Sequence, residues 1–140
     1  GAFNAVPTKI DGVKTDWHNL SHHGKDENKI DELEIIEKEE FSLFAKFLAE
    51  LKNHQENGSS LLTNTAVLFG SNLGNASSHD WRNLPIILAG GGYRHGCYVA
   101  HDPQNNTPLS NLFVPLAQRM GVAIEQFGKS TKSSLRGLES

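Results

Sequence analysis

Seven histidines stand out in this chain of 140 residues, and two short stretches hold four of them. "TDWHNLSHHGKD" carries His18, His22 and His23. "SNLGNASSHDWRN" carries His79 directly before Asp80. His18 and His22 are four residues apart, so one helical turn places both imidazoles on the same face. Neutral imidazole is the commonest metal ligand, and a carboxylate often holds its second nitrogen. Asp16, Asp26 and Asp80 are candidates for direct ligation or for that supporting role. His-x-x-x-His alone is a weak signal, because the zinc-protease form needs Glu after the first His and Asn19 occupies that place.

The plain alternative is turn chemistry. Ser77, Ser78 and Asp80 are good turn formers, and Asp80 can bond nearby backbone N–H groups. The histidines of the first stretch can likewise cap helices or stack on Trp17. Against this, ligand groups gather in loops beyond the carboxyl ends of parallel strands, which is where His79 is expected. "AGGGYRHG" lacks the G-x-G-x-x-G spacing and no helical pattern follows it, so it reads as a tight turn rather than a phosphate cradle. Arg94 and His95 within it suit an anion, since guanidinium pairs well with phosphate or sulfate oxygens.

The elements that must position these residues follow from periodicity. "DENKIDELEIIEKEEFSLFAKFLAELKNH" predicts a long amphipathic helix, with apolar residues from Ile30 to Leu51 recurring at steps of three and four. Asp26 suits its N-cap and Asn57-Gly58 its end. "TAVLF" (65–69) and "PIILA" (85–89) read as short buried strands, expected to be parallel. "YRHGCYVAH" reads as a third, more exposed strand. Thr107-Pro108 opens a second helix with Leu109, Leu112, Phe113, Leu116 and Met120 on its apolar face, and Pro115 is expected to kink it. The expected organisation is an irregular segment with the histidine cluster over 1–28, an α/β portion of a larger domain over 29–128, and a mobile tail over 129–140.

Bulk properties narrow the partners. The length suits one domain, and a net charge of −3 with scattered basic residues gives no footprint for nucleic acid. No apolar run approaches the roughly 20 residues that span a bilayer. Cys97 is the lone cysteine and reads as a packing residue. The start "GAFNAVPTKI" shows no signal-peptide pattern and suggests part of a longer protein.

Three stretches taken together resemble a known group. "LSHHGKDENKIDEL", "TNTAVLFGSNLGNASSHDWRNLPIILAGGG" and "TPLSNLFVPLAQRMGV" look like the C-terminal third of secreted bacterial proteins of unknown function. These commonly carry a twin-arginine export signal and are grouped with the alkaline phosphatase and sulfatase superfamily. The resemblance covers roughly residues 16–130. It implies a partial alkaline phosphatase-like three-layer sandwich, with a mostly parallel sheet and flanking helices. The export signal, first strands and nucleophile would lie in the upstream remainder of the polypeptide, and the location would be periplasmic or secreted. It further implies a divalent metal, zinc or calcium, acting on an anionic phosphate or sulfate ester. His79 falls where the superfamily's downstream histidine stands, and His22 and His18 fall where an earlier His and Asp stand. Asn72 replaces the strand-end Asp, and Leu73 replaces a ligating His or Asn. His18, His22 and His79 are thus the candidate metal ligands, with His23, Asn72, Asp80, Arg94 and His95 as supporting or substrate-contacting residues. Within the chain Ser21 and Ser71 are weak candidate nucleophiles. Leu73 favours the alternative, a non-catalytic relative used for binding or structure. A third reading is a free-standing intracellular α/β module.

Overall fold

The computed structural model describes residues 5–138. A short helix α1 (Trp17–Ser21) leads through a tight corner into the long helix α2 (Glu27–Asn53). Each begins on an aspartate. Asp16 accepts from the Asn19 amide, and Asp26 accepts from the amides of Asn28 and Lys29. These bonds satisfy backbone donors that lack partners in the first helical turn. Gly24 and Lys25 between the helices both have positive φ, which turns the chain sharply.

The N-terminal segment is held on α2 by one carboxylate. Glu32 accepts from the backbone amides of Lys14 and Thr15, which keeps its carboxyl below the usual range. Beneath that anchor, Val13, Leu20 and Ile36 form a small buried cluster, with Ile10 and Leu33 packed against it.

After α2, Asn57 and Gly58 both adopt left-handed backbone, so the chain makes a hairpin between β1 (Gln55–Glu56) and β2 (Ser59–Ser60). Asn-Gly is the pair that such a turn selects. The pair thus makes a hairpin turn as well as the helix stop expected of it. A one-turn helix α3 (Leu61–Asn64), capped by the Ser60 hydroxyl, then delivers the chain into β3 (Ala66–Gly70).

β3 pairs with β4 (Ile86–Gly90), and the pairing is antiparallel, running from Ala66↔Gly90 to Gly70↔Ile86. This overturns the expected mostly parallel, three-layer sandwich of the alkaline phosphatase type. Four helices and two two-stranded antiparallel sheets make up the described residues. The physical reason lies in residues 71–85. A parallel partner needs a crossover, usually a helix, whereas this segment is polar and turn-rich and simply returns. Its tip closes on itself through an Asn75↔Asp80 bridge, and its base through Ser71 N–H to the Pro85 carbonyl at 3.2 Å. Nor does the sheet bury both faces. Phe69 on one face packs against Phe41 and Phe44 of α2, while Leu68 on the opposite face is exposed. The stretch 93–101 forms no strand, and Tyr98 within it is 92% exposed.

Helix α4 (Ser110–Arg119) runs through Pro115 and buries Leu112 and Val114, while Met120 at its end is 81% exposed. The buried Asn111 bonds the chain that follows, accepting from the Thr131 amide at 2.8 Å and donating to its hydroxyl at 3.3 Å. The 129–138 stretch is therefore tied to α4 at Thr131.

Gly90 ends β4 with φ +71, and a Cβ there would drive into the carbonyl oxygens of Leu62 and Thr65. Gly96 has φ +75 but open space around it. Gly90→Ala is expected to destabilise the protein by about 3 kcal/mol or more, through backbone strain plus collision, and Gly96→Ala by about 1 kcal/mol through strain alone. Urea denaturation midpoints of the two variants test the ordering.

Candidate metal centre

The reversal between β3 and β4 carries loop 71–85 to the corner between α1 and α2. There the rings of His18, His22 and His79 meet. His18 and His22 lie one turn apart, the first in α1 and the second at its C-cap, with ring centroids 4.8 Å apart. His79 reaches them from the loop, its ring 4.9 Å from that of His22. Nε2 of His79 and Nε2 of His22 are 3.3 Å apart. His79 holds a left-handed backbone at φ +52, which an L side chain adopts at some cost. Ser77 secures the approach. Its hydroxyl accepts from the Gly24 amide at 3.3 Å and donates to the Ser21 carbonyl at 3.4 Å.

The electrostatics of the cluster are one-sided. Partial desolvation and the neighbouring rings of His18 and His79, with Lys29 beyond, hold the His22 pKa below its ordinary value. Neutral imidazole keeps a lone pair to share, which is the state a metal requires. The aspartates that sequence offered as ligands are engaged elsewhere. Asp16 and Asp26 cap helices, and Asp80 receives the Arg82 guanidinium through both oxygens at 3.0 Å. That pairing lowers the Asp80 pKa and turns its carboxylate to Arg82.

Two imidazoles bound to one tetrahedral zinc at about 2.0–2.1 Å stand about 3.3–3.4 Å apart, so the His22–His79 separation fits that edge. The same distance also accommodates a long N–H···N hydrogen bond between two neutral rings. His18 is adjacent but not converged. Among the described residues no three His, Cys, Asp or Glu side chains are already set around one cation position. A side-chain rotation of the exposed His18 would be needed, and such rotamer changes are fast.

The other sequence candidates fall outside this cluster. His23 Nδ1 accepts from the Lys25 amide at 3.1 Å, a contact of the helix corner. Asn72 lies exposed at the start of the loop. His95 bonds the Gly90 carbonyl at 3.0 Å, at the end of the β3–β4 sheet opposite the loop, and Arg94 is its neighbour there. The structure does not bring these two to His79. Ser77 and Lys29 are the contributors that sequence reading missed as site residues. Ser77 carried only a turn signal, and Lys29 is one polar residue on a charged helix face.

No family model matches the chain, and neither a curated protein nor a solved structure matches it.

In chelator-treated protein, the His22 ring is expected to titrate below 6.5, followed by its ring-proton NMR shifts. His18→Ala should raise that midpoint more than His79→Ala, because His18 exerts the larger repulsion. With the folded pKa depressed, the unfolded chain takes the proton first. The contribution to stability is therefore intact above about 6.5 and lost as pH falls through the lowered folded value.

Proposed function

We propose that the chain binds a zinc-class divalent cation through His22 and His79, with His18 as the third ligand. The observation that carries this reading is the 3.3 Å separation of two imidazole Nε2 atoms contributed by distant segments. Imidazole donors suit zinc and its d-block neighbours, whereas calcium takes six to eight oxygens. A cluster whose nearby carboxylates are engaged elsewhere therefore favours zinc over calcium.

Binding is better supported than turnover by these residues. The Ser21 hydroxyl donates to the His18 carbonyl at 2.8 Å, and Ser71 accepts from the Leu73 amide at 3.1 Å. Neither is poised as a nucleophile. The ester-hydrolase reading would need an attacking group from the upstream remainder of the polypeptide. Among the described residues β3 and β4 pair only with each other, and their open edges would accept strands from such a remainder. No helix among the described residues is long and apolar enough to cross a membrane.

Calorimetric titration near pH 7.5 should show one zinc per chain and no heat from calcium. His79→Ala should weaken zinc by about 100-fold or more, since even partners of ligands cost about 10–100-fold. His23→Ala should leave the isotherm unchanged. Absence of zinc binding, or equal binding by His79→Ala, would overturn the reading.

A further inference from the structure

Three hydrogen bonds join loop 71–85 to residues 17–26 among the described residues. They are Gly24 N–H to the Ser77 hydroxyl, that hydroxyl to the Ser21 carbonyl, and the contact between His79 and His22. All are 3.3–3.4 Å long, at the weak end of hydrogen-bond geometry. Ser77 and His79 are exposed, so water competes for each contact. The cluster that buries Val13, Leu20 and Ile36 belongs to the N-terminal segment and α2, and no loop residue is part of it. The loop is closed locally at its tip and base, and is thus a preformed unit resting on the corner by polar contacts.

We propose that a zinc ion shared by His22 and His79 latches this loop onto the α1–α2 corner, and that Ser77 is the positioning residue that sets the two rings at ligating distance. This rests on the zinc reading above and goes beyond it, because a cation bound to one element alone would leave the loop free. A ligand held only in the closed state reduces opening by the factor 1 + [Zn]/Kd. At a free zinc concentration 100 times Kd, opening is suppressed about 100-fold. Ser77 lies two residues before His79 and bonds Ser21 and Gly24, which lie one and two residues from His22, so its contacts sit beside both ligands. The left-handed backbone of His79 then aims its ring at the corner.

Limited trypsin digestion of the whole chain reads the latch, because Arg82 lies in the loop and Lys52 lies near the end of α2, far from it in sequence. With zinc chloride at 100 times the calorimetric Kd, cleavage after Arg82 should slow by about 100-fold while cleavage after Lys52 is unchanged. His79→Ala should abolish the protection. Ser77→Ala should weaken zinc binding by about tenfold with the chelator-treated melting temperature unchanged, and Ser77→Thr should restore the affinity. Calorimetric binding without protection at Arg82 would overturn the latch and leave the zinc reading standing. No binding at all would overturn both. Protection that persists in His79→Ala, or that appears equally at Lys52, would place the effect on another site or on trypsin and overturn the latch. Unaltered zinc affinity in Ser77→Ala would remove Ser77 from the proposal's positioning role.

Discussion

The direction of one strand governs the rest of this structure. Because β4 runs antiparallel to β3, residues 71–85 must begin and end at the same edge of the sheet. That edge faces the corner between α1 and α2, and Ser77 bonds across to it. A parallel β4 would start at the other end of the sheet. The same residues would then be drawn out along its length instead of returning to the corner. His79 meets His22 because the chain turns back.

Long-range order here depends on polar ties more than on bulk burial. Only six apolar residues are buried among the described residues, and they lie in separate places: Val13, Leu20 and Ile36 under α2, and Tyr93, Leu112 and Val114 around α4. Between these patches, single polar contacts fix the relation of segments. Glu32 holds the Lys14–Thr15 backbone, Asn111 holds Thr131, and Arg119 donates to the Gly92 carbonyl while lying over the Tyr93 ring. Meanwhile Phe41, Leu43 and Phe47 of α2 remain about half exposed. A two-stranded sheet with open edges is marginal by itself, so the helix α2 ring stack on Phe69 matters to its stability.

Local elements were legible in the sequence, and relations between them were less so. The span of α2 and its Asp26 cap follow from periodicity and capping chemistry, and both strands appear within one residue of their expected bounds. Strand direction is a different matter. An apolar run such as "TAVLF" is compatible with a buried parallel strand or with an antiparallel one packed on a single helix, and only the connection decides. The turn-rich character of 71–85 already argued against a crossover helix. Tertiary placement was lost with it: Arg94 and His95 share a glycine-rich neighbourhood with β4 but emerge at the far end of the sheet. The spacing of His18 and His22 did predict their shared face. By contrast, the left-handed backbone of His79 is not legible in advance, since histidine is tolerated there without demanding it as glycine does.

Two other histidines in the same chain differ from the cluster in what their rings meet. His54 places Nδ1 on the Glu50 carbonyl at 2.8 Å, and His95 places Nε2 on that of Gly90 at 3.0 Å. Each thereby finds a backbone oxygen, the usual partner for a structural imidazole. His22 and His79 instead direct their Nε2 atoms at one another. Two neutral rings can satisfy this contact with one proton, but two protonated rings cannot; desolvation, then the rings of His18 and His79, hold the His22 pKa low. A shared cation would remove it by accepting a lone pair from each ring. The aspartates that would otherwise supply a compensating proton acceptor are capping helices or gripping Arg82, so the corner offers nitrogen lone pairs and little else.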